Sequence, residues 1–164
     1  MLSVTRRAFT KFSISAIAAK VAPVTVLQPE NGLKSELLFD LDITAQAPES
    51  IGNGRLVVPV AGGRFTGPRL SGTIMAPAGD WIIERSDHSR VLDVRAMMKT
   101  DDGQFIYLSW RGIAYTTPSG ELFARILPAF ETGAPKYAWI NNVIAVGVYR
   151  NQPGGIGYRV YSVL

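Results

Sequence analysis

The amino-acid sequence predicts an all-β domain, built as a closed antiparallel barrel or as a sandwich. Roughly eight to ten short segments alternate apolar and polar residues, and Gly, Pro, Asn and Asp separate them at regular spacing. The composition agrees, because 47% of the residues are hydrophobic and 18% are charged. A disordered chain would be poorer in apolar residues and richer in charge. The 164 residues suffice for one domain behind a short leader.

The predicted strands follow one another from residue 37 to residue 163, each bounded by a turn signal. In the first, Leu37, Phe39, Leu41 and Ile43 alternate with more polar neighbours. Asp102-Gly103 predicts a tight hairpin, because both residue types tolerate a positive φ. A short helix is expected near residues 132–137. The strands are expected at 37–44, 56–60, 70–75, 81–85, 91–99, 105–116, 121–127, 140–149 and 158–163.

The N-terminal segment predicts an export signal. Residues 5–11 read Thr-Arg-Arg-Ala-Phe-Thr-Lys, which resembles the twin-arginine signal, and the apolar run 12–19 follows. That run is shorter than the ~20 residues that span a bilayer. We therefore expect a helical twin-arginine-type signal at 1–22, a linker at 23–34 and the β domain at 35–164. The expected partner of residues 5–11 is the twin-arginine export machinery, and the expected location is periplasmic or secreted.

The charge distribution argues against nucleic acid as a partner. Lys and Arg number 17 against 13 Asp and Glu, but residues 1–22 hold four of the basic residues and no acidic one. The remainder is balanced at 13 against 13, so the β domain lacks the net positive charge typical of nucleic-acid binding. The chain has no cysteine and one histidine, which excludes thiolate chemistry and multi-histidine metal sites. No metal and no cofactor is expected.

The segment 91–98 offers the first candidate for chemistry. One face carries Val91, Asp93, Arg95 and Met97, so an acid and a base stand between apolar residues. Charged groups in such surroundings either pair or line a wet cavity. Asp93 and Arg95 are therefore interpreted as lining a ligand cavity, with a structural ion pair between strands as the alternative.

Other polar residues carry two interpretations each. Asp80 is either a turn cap or an acid in the barrel lumen, and Glu131 either caps the short helix or faces a pocket. Asn141, beside Trp139 on a predicted strand face, is a hydrogen-bonding group of an aromatic pocket or a structural amide. His88 lies in a predicted hairpin loop, where an exposed turn residue is the simpler interpretation.

Several short motifs in order resemble those of the bacterial domain of unknown function 3237 family. They run Val-Pro-Val-Ala-Gly-Gly at 58–63, Gly-Pro-Arg-Leu-Ser-Gly at 67–72, Gly-Asp-Trp at 79–81 and Leu-Asp-Val-Arg at 92–95. They continue with Thr-Asp-Asp-Gly at 100–103, Phe-Glu-Thr at 130–132 and Tyr-Ala-Trp-Ile-Asn at 137–141. The resemblance covers roughly residues 35–164.

The resemblance implies a closed β-barrel of calycin-like or allene-oxide-cyclase-like character, and no settled activity. Two departures occur: Ala129 stands where the family often has a basic residue, and His88 where it commonly has glycine. The first weakens the case for an anion clamp at that position. The recurrent polar positions of the family fall on Asp80, Asp93, Arg95, Asp102, Arg125, Glu131 and Asn141.

Three functions are compatible with these residues. The first is a cofactor-independent isomerase, cyclase or lyase, with Asp80 or Asp93 as general base and Arg95, with Asn141, stabilising an oxyanion. In that hypothesis Trp81, Tyr137 and Trp139 pack an apolar substrate, and Asp102, Arg125 and Glu131 complete the ligand site. The second is a lipocalin-like carrier or sensor of a small ligand. The third is a structural or interaction module, which a lumen packed solid would favour. An outer barrel face also offers a surface for a homodimer.

Overall fold

A computed structural model of the chain describes residues 32–164. The predicted signal at 1–22 and residues 23–31 of the predicted linker lie outside this range. No helix within it is long and apolar enough to cross a bilayer. The elements are β1 (Ser35–Ala45), β2 (Glu49–Gly52), β3 (Arg55–Thr66), β4 (Ser71–Glu84), β5 (Arg90–Thr100), β6 (Phe105–Thr116), β7 (Leu122–Glu131), a 3₁₀ helix (Pro135–Asn142), β8 (Ala145–Gln152) and β9 (Gly155–Val163).

The strands form one antiparallel sheet that closes on itself. The order is β1-β9-β8-β7-β6-β5-β4-β3-β2, and β1 also pairs with β3, with Leu41 opposite Phe65. Eight strands therefore close the barrel, while the short β2 extends along one end of β3. The expected closed antiparallel barrel is confirmed. Closure leaves few unpaired strand edges, which limits edge-to-edge association.

Alternation along each strand determines which side chains fill the barrel. In β6, Ile106, Leu108, Trp110 and Ala114 are buried while their odd-numbered neighbours are more exposed. This confirms the apolar face that the sequence predicted as core. In β5 the inward residues are Leu92, Val94, Ala96 and Met98. The same period of two applies to neighbouring strands, because paired residues share a face.

Chain direction gives the barrel two distinct ends. One end holds the connections 67–70, 101–104 and 132–144, including the 3₁₀ helix, and is called the helix end. The other holds the connections 46–54, 85–89, 117–121 and 153–154, and is called the cavity end. Inside the helix end the lumen is filled by aromatic rings. The Phe39 ring centroid lies 5.8 Å from that of Phe65 and 5.9 Å from that of Phe130.

The segment 132–149 differs from its prediction. The helix occupies Pro135–Asn142 instead of 132–137, and the strand expected from residue 140 begins at Ala145. Pro135 suits the first turn of a helix, where its missing N–H costs nothing. The helix buries Tyr137 and Ile140, which are three residues apart and therefore share a face of a 3₁₀ helix. Trp139 and Asn141 consequently lie on a helix and not on a strand face.

Candidate functional site

A small cavity lies inside the barrel toward the cavity end. Its volume is about 60 Å³, roughly that of two water molecules. Most of its wall is apolar, and the polar groups at its surface come from Asp80, Trp110 and Tyr158. The apolar lining residues are Ile43, Ala45, Val58, Val60, Ile82, Val94 and Ile156.

Asp80 faces the lumen because it shares a strand face with the buried Ile82 and pairs with Val58 and Val94. Its carboxylate accepts one hydrogen bond, from the backbone N–H of Asp93 at 3.0 Å. Burial disfavours the charged form and raises the pKa of Asp80 to about 6, which that hydrogen bond only partly opposes. The pKa of this carboxyl group is close to neutral pH, so in its apolar cavity the group can both accept and donate a proton. The sequence-based choice of Asp80 as a lumen acid agrees with this position.

Trp110, which carries an indole N–H donor, also belongs to the cavity wall. The residue is only 4% exposed, and its indole Nε1 is buried with no hydrogen-bond partner among the described residues 32–164. Tyr158 packs beside it, with ring centroids 6.0 Å apart. Burial, reinforced by the charge of Asp80, raises the pKa of the Tyr158 phenol, so its hydroxyl keeps its proton. Sequence reasoning assigned Trp110 to the core and missed this donor, although a buried tryptophan normally needs a partner for its N–H.

Asp93 and Arg95 do not line the lumen, which corrects the expectation from the sequence. Both lie on the outer face of β5, because closure of the barrel turns Leu92, Val94 and Ala96 inward. The Asp93 carboxylate lies 3.7 Å from the Arg95 guanidinium and 3.6 Å from that of Arg111. These contacts form the structural ion pair between strands that was the alternative interpretation of Asp93 and Arg95. The proposed base Asp93 and the proposed oxyanion donor Arg95 are therefore separated from the cavity by the sheet.

An open groove crosses this outer face. Its volume is about 370 Å³, and its lining includes Asp93, Arg95, Arg111 and Glu131. Trp81 also points outward from β4 and is 42% exposed, with the Arg95 guanidinium 5.7 Å from its ring centroid. The two acids offset the two arginines, so the groove has no dominant sign of charge. Exposed ion pairs of this kind contribute about 0–1 kcal/mol each.

Asp102 and Tyr137 meet at the helix end, far from Asp80 along the barrel axis. The Asp102 carboxylate accepts hydrogen bonds from Lys136 Nζ at 2.5 Å, Thr100 Oγ1 at 2.6 Å and the Tyr137 hydroxyl at 2.9 Å. The Lys136 bond, followed by that from Thr100, lowers the pKa of Asp102 to about 2. These contacts fasten the 3₁₀ helix to the β5–β6 hairpin, whose Gly103 has a φ of +86°.

The remaining predicted site residues also hold local structure. Asn141 binds the backbone of Thr132 twice, accepting from its N–H at 2.8 Å and donating to its carbonyl at 2.9 Å. The Trp139 ring lies 3.6 Å from the Arg69 guanidinium. Arg125 stacks on Phe123, 4.2 Å from its ring centroid, and donates to a backbone carbonyl on the outside of β7. Of the ten residues singled out from the sequence, only Asp80 therefore reaches the cavity.

Residues 32–164 contain no group of three or more His, Asp or Glu side chains placed to hold a metal ion. His88, the one histidine, occupies the β4–β5 turn with a φ of +62°. A positive φ explains why glycine suits this position. Exposure of His88 agrees with its interpretation as a turn residue.

Comparison with known proteins links the chain to uncharacterised relatives. The family described as "Protein of unknown function (DUF3237)" matches residues 33–163. A UPF0311 protein of Clostridium acetobutylicum is 30% identical over 147 residues, covering 78% of this chain and 92% of its own. A crystal structure of a beta-barrel like protein from Acinetobacter baumannii superposes with a TM-score of 0.75 at 26% identity, covering 84% of this chain and 100% of its own. An enzyme from Penicillium herquei shares the fold, with a TM-score of 0.66 at 20% identity over 80% of this chain and 95% of its own.

Proposed function

The chain belongs to the DUF3237 family of β-barrel proteins, and we propose that it is a cofactor-independent proton-transfer enzyme with Asp80 as its general acid and base. The reaction class is isomerisation, cyclisation or elimination on a small, mostly apolar molecule. One observation carries the proposal: the Asp80 carboxyl group lies in an apolar cavity with a pKa of about 6. A general acid or base works best when its pKa is close to the working pH.

The cavity supplies the surroundings that such chemistry needs. Its aliphatic walls lower the local polarity, which strengthens electrostatic interactions with a reacting group. Trp110 and Tyr158 add two donors to the one carboxyl group. At about 60 Å³ the cavity is smaller than the roughly 300–1,000 Å³ of a drug-sized ligand pocket. Only the reacting end of a larger substrate would fit without movement of the cavity end.

Non-catalytic binding of a small ligand is the second candidate, favoured by the predominantly apolar lining. A carrier needs apolar walls and a few polar groups, but it gains nothing from a carboxyl group held near neutral pKa. The purely structural role has its own support at the helix end. There Phe39, Phe65 and Phe130 fill the lumen and Asp102 ties down the helix. These contacts stabilise the barrel and leave the cavity available for function.

Turnover of metabolites separates these functions. The β domain is incubated with a bacterial metabolite extract beside its Asp80→Asn and Asp93→Asn variants, and masses are recorded. We expect one compound to be converted into an isomer or elimination product by the wild type and by Asp93→Asn, and not by Asp80→Asn. Asp93→Asn is the matched control, because its carboxylate lies on the outer face and its backbone N–H still donates to Asp80, so the variant removes only the Coulombic effect of the Asp93 charge on the pKa of Asp80. Equal turnover by Asp80→Asn would refute the role of Asp80, and retention of a compound without conversion would favour binding.

We also propose that residues 1–22 direct export of the folded β domain through the twin-arginine machinery. The support is the Arg6-Arg7 pair followed by an apolar run. Cell fractionation of a bacterium expressing the full chain tests this. We expect the protein in the periplasm, and in the cytoplasm when both Arg6 and Arg7 are replaced by lysine. Equal export of the two forms would contradict it.

A further inference from the structure

We propose that the cavity binds the carbonyl end of its ligand, and that the carbonyl oxygen accepts a hydrogen bond from the Trp110 indole N–H. The inference deepens the proposed function, on which it rests, by naming a substrate class: small carbonyl compounds with a hydrogen on the neighbouring carbon. Trp110 thereby becomes a substrate-binding residue, in the role that the sequence had given to Arg95 and Asn141.

The first argument is the unpartnered donor. Indole Nε1 can only donate, so it needs an acceptor, and no acceptor of residues 32–164 lies within hydrogen-bond distance. A buried donor without a partner costs about 1–3 kcal/mol, and native proteins leave few such atoms. Trp110 is 4% exposed and belongs to the cavity wall. A ligand oxygen in the cavity would remove that cost, whereas a hydrocarbon ligand would leave it in place.

The second argument is the chemistry open to Asp80. A carboxylate is too weak a base to deprotonate a plain hydrocarbon, so the electron pair released from carbon must move onto a more electronegative atom. In a carbonyl compound the C–H pair becomes the C=C bond of an enolate, and the carbonyl π pair moves to oxygen. Asp80 takes the proton and returns it to the same or a conjugated carbon, so no oxidant or reductant is consumed. The developing charge on oxygen is stabilised by a fixed donor.

The third argument is the composition of the polar groups. The cavity holds one carboxyl group and two donors, Trp110 and the protonated Tyr158. A carbonyl oxygen has two lone pairs and no hydrogen, so it can accept from either donor. Arg95 and Arg111 project outward around Asp93. A fully anionic headgroup would find no cation in the cavity wall.

Nuclear magnetic resonance of the indole groups tests the inference. The sequence contains three tryptophans, so three indole N–H resonances are expected. The resonance that is lost in Trp110→Phe is assigned to the Trp110 N–H. The probes are cyclopentanone and methylenecyclopentane, which differ only in the oxygen or CH₂ group at the end expected to enter the cavity. Their rings are larger than the cavity of about 60 Å³ and are expected to remain at its mouth. We expect cyclopentanone to shift the Trp110 N–H proton downfield and methylenecyclopentane not to. Equal shifts, or no shift with either probe at saturation of the ketone, would overturn the inference.

The binding affinities of the two probes provide a second test. Loss of the hydrogen bond in Trp110→Phe should weaken cyclopentanone binding about tenfold and leave methylenecyclopentane binding nearly unchanged. Trp81→Phe, on the outer face, is the matched control and should bind both probes as the wild type does. The Trp110 shift is measured in the wild type, so it stands even if Trp110→Phe folds poorly.

Exchange of the α-hydrogens of cyclopentanone in deuterium oxide separates the two proposals. Catalysed exchange that requires Asp80 but is unchanged in Trp110→Phe would support the proposed function and refute the role of Trp110. A ketone-specific shift of the Trp110 N–H without catalysed exchange would support carbonyl binding and count against proton transfer. We expect both the shift and the exchange in the wild type, with exchange lost in Asp80→Asn and slowed about tenfold in Trp110→Phe.

Discussion

Replacing Asp80 with asparagine should stabilise the folded barrel, and by an amount that depends on pH. Burial raises the pKa of Asp80 from 3.8 in the unfolded chain to about 6 in the barrel. The folded state therefore favours the protonated form, and wild-type stability falls as the pH rises from 3.8 past about 6. The difference between these pKa values corresponds to about 2–3 kcal/mol once Asp80 is fully ionised. Asparagine carries no charge and escapes this loss.

The assay is urea unfolding of wild type and Asp80→Asn at pH 4 and pH 8, followed by tryptophan fluorescence. The amide of asparagine brings a donor into the cavity at some cost, but that cost is the same at both pH values. The stability of the variant relative to wild type should therefore be higher at pH 8 than at pH 4 by about 2–3 kcal/mol. A pH-independent difference would refute the reasoning, because it would place the carboxylate in water.

Asp102→Asn serves as a control of opposite sign. Hydrogen bonds from Lys136 and Thr100 lower the pKa of Asp102 to about 2, so its stabilising effect is present above the unfolded value of 3.8. That effect is lost as the pH falls toward about 2. The variant should be less stable than wild type at pH 8, with the deficit shrinking at acidic pH. Titrations of the two variants that run in the same direction would contradict the assignment of either carboxyl group.

Further predictions concern packing and turns, all measured by urea unfolding. Gly72→Ala should cost at least about 2 kcal/mol, because the added Cβ would clash with the backbone carbonyl oxygen of Lys99 and lie 2.7 Å from Thr100 Cα and from the Phe65 ring. Gly133→Ala, with nothing within 4 Å, should change stability by less than about 0.5 kcal/mol. Similar costs at both positions would contradict the packing described. His88→Gly should raise the unfolding free energy by up to about 1 kcal/mol, because φ is +62°. A decrease would show that the strain is absent. Tyr137→Phe should cost about 1 kcal/mol through its lost 2.9 Å hydrogen bond, and no cost would make that bond incidental.

The barrel could be predicted because burial in a closed antiparallel sheet follows a period of two. Residues 105–116 show this well, since Ile106, Leu108 and Trp110 are inward without exception. The segment 137–149 could not be resolved in the same way. Its apolar residues Tyr137 and Ile140 fit a helix, while Trp139, Val143 and Ala145 also fit a strand, so short-range periodicity allows both. Packing of Ile140 into the core is a long-range contact that decides between them.

The site was only partly predictable, because alternation tells which residues share a face but not which face is inside. On β5 both faces contain apolar residues, and Val91 and Met97 made the face of Asp93 look buried. Leu92 and Met98 lie on the inner face of β5. That face is the inner one because the pairing of β1 with β3 closes the sheet into a barrel. Asp80 was identified from an acid at a strand start beside apolar residues. Trp110 was not identified, because it belongs to an apolar strand face that the sequence predicts as core.

The two ends of the barrel differ in how well their polar groups are stabilised. At the helix end, aromatic packing and the Asp102 hydrogen bonds anchor the connections between strands. At the cavity end, the barrel keeps a carboxyl group that burial destabilises and an indole N–H that has no partner within the part of the chain that the structure describes. A protein selected for stability alone would gain by replacing Asp80 with an apolar residue, because its neighbours Val58, Ile82 and Val94 are aliphatic. Retention of two unfavourable polar groups in one cavity is explained if a ligand that needs both occupies it. The gain in stability predicted for Asp80→Asn should therefore accompany a loss of α-hydrogen exchange, and a variant that gained stability without losing exchange would break that link.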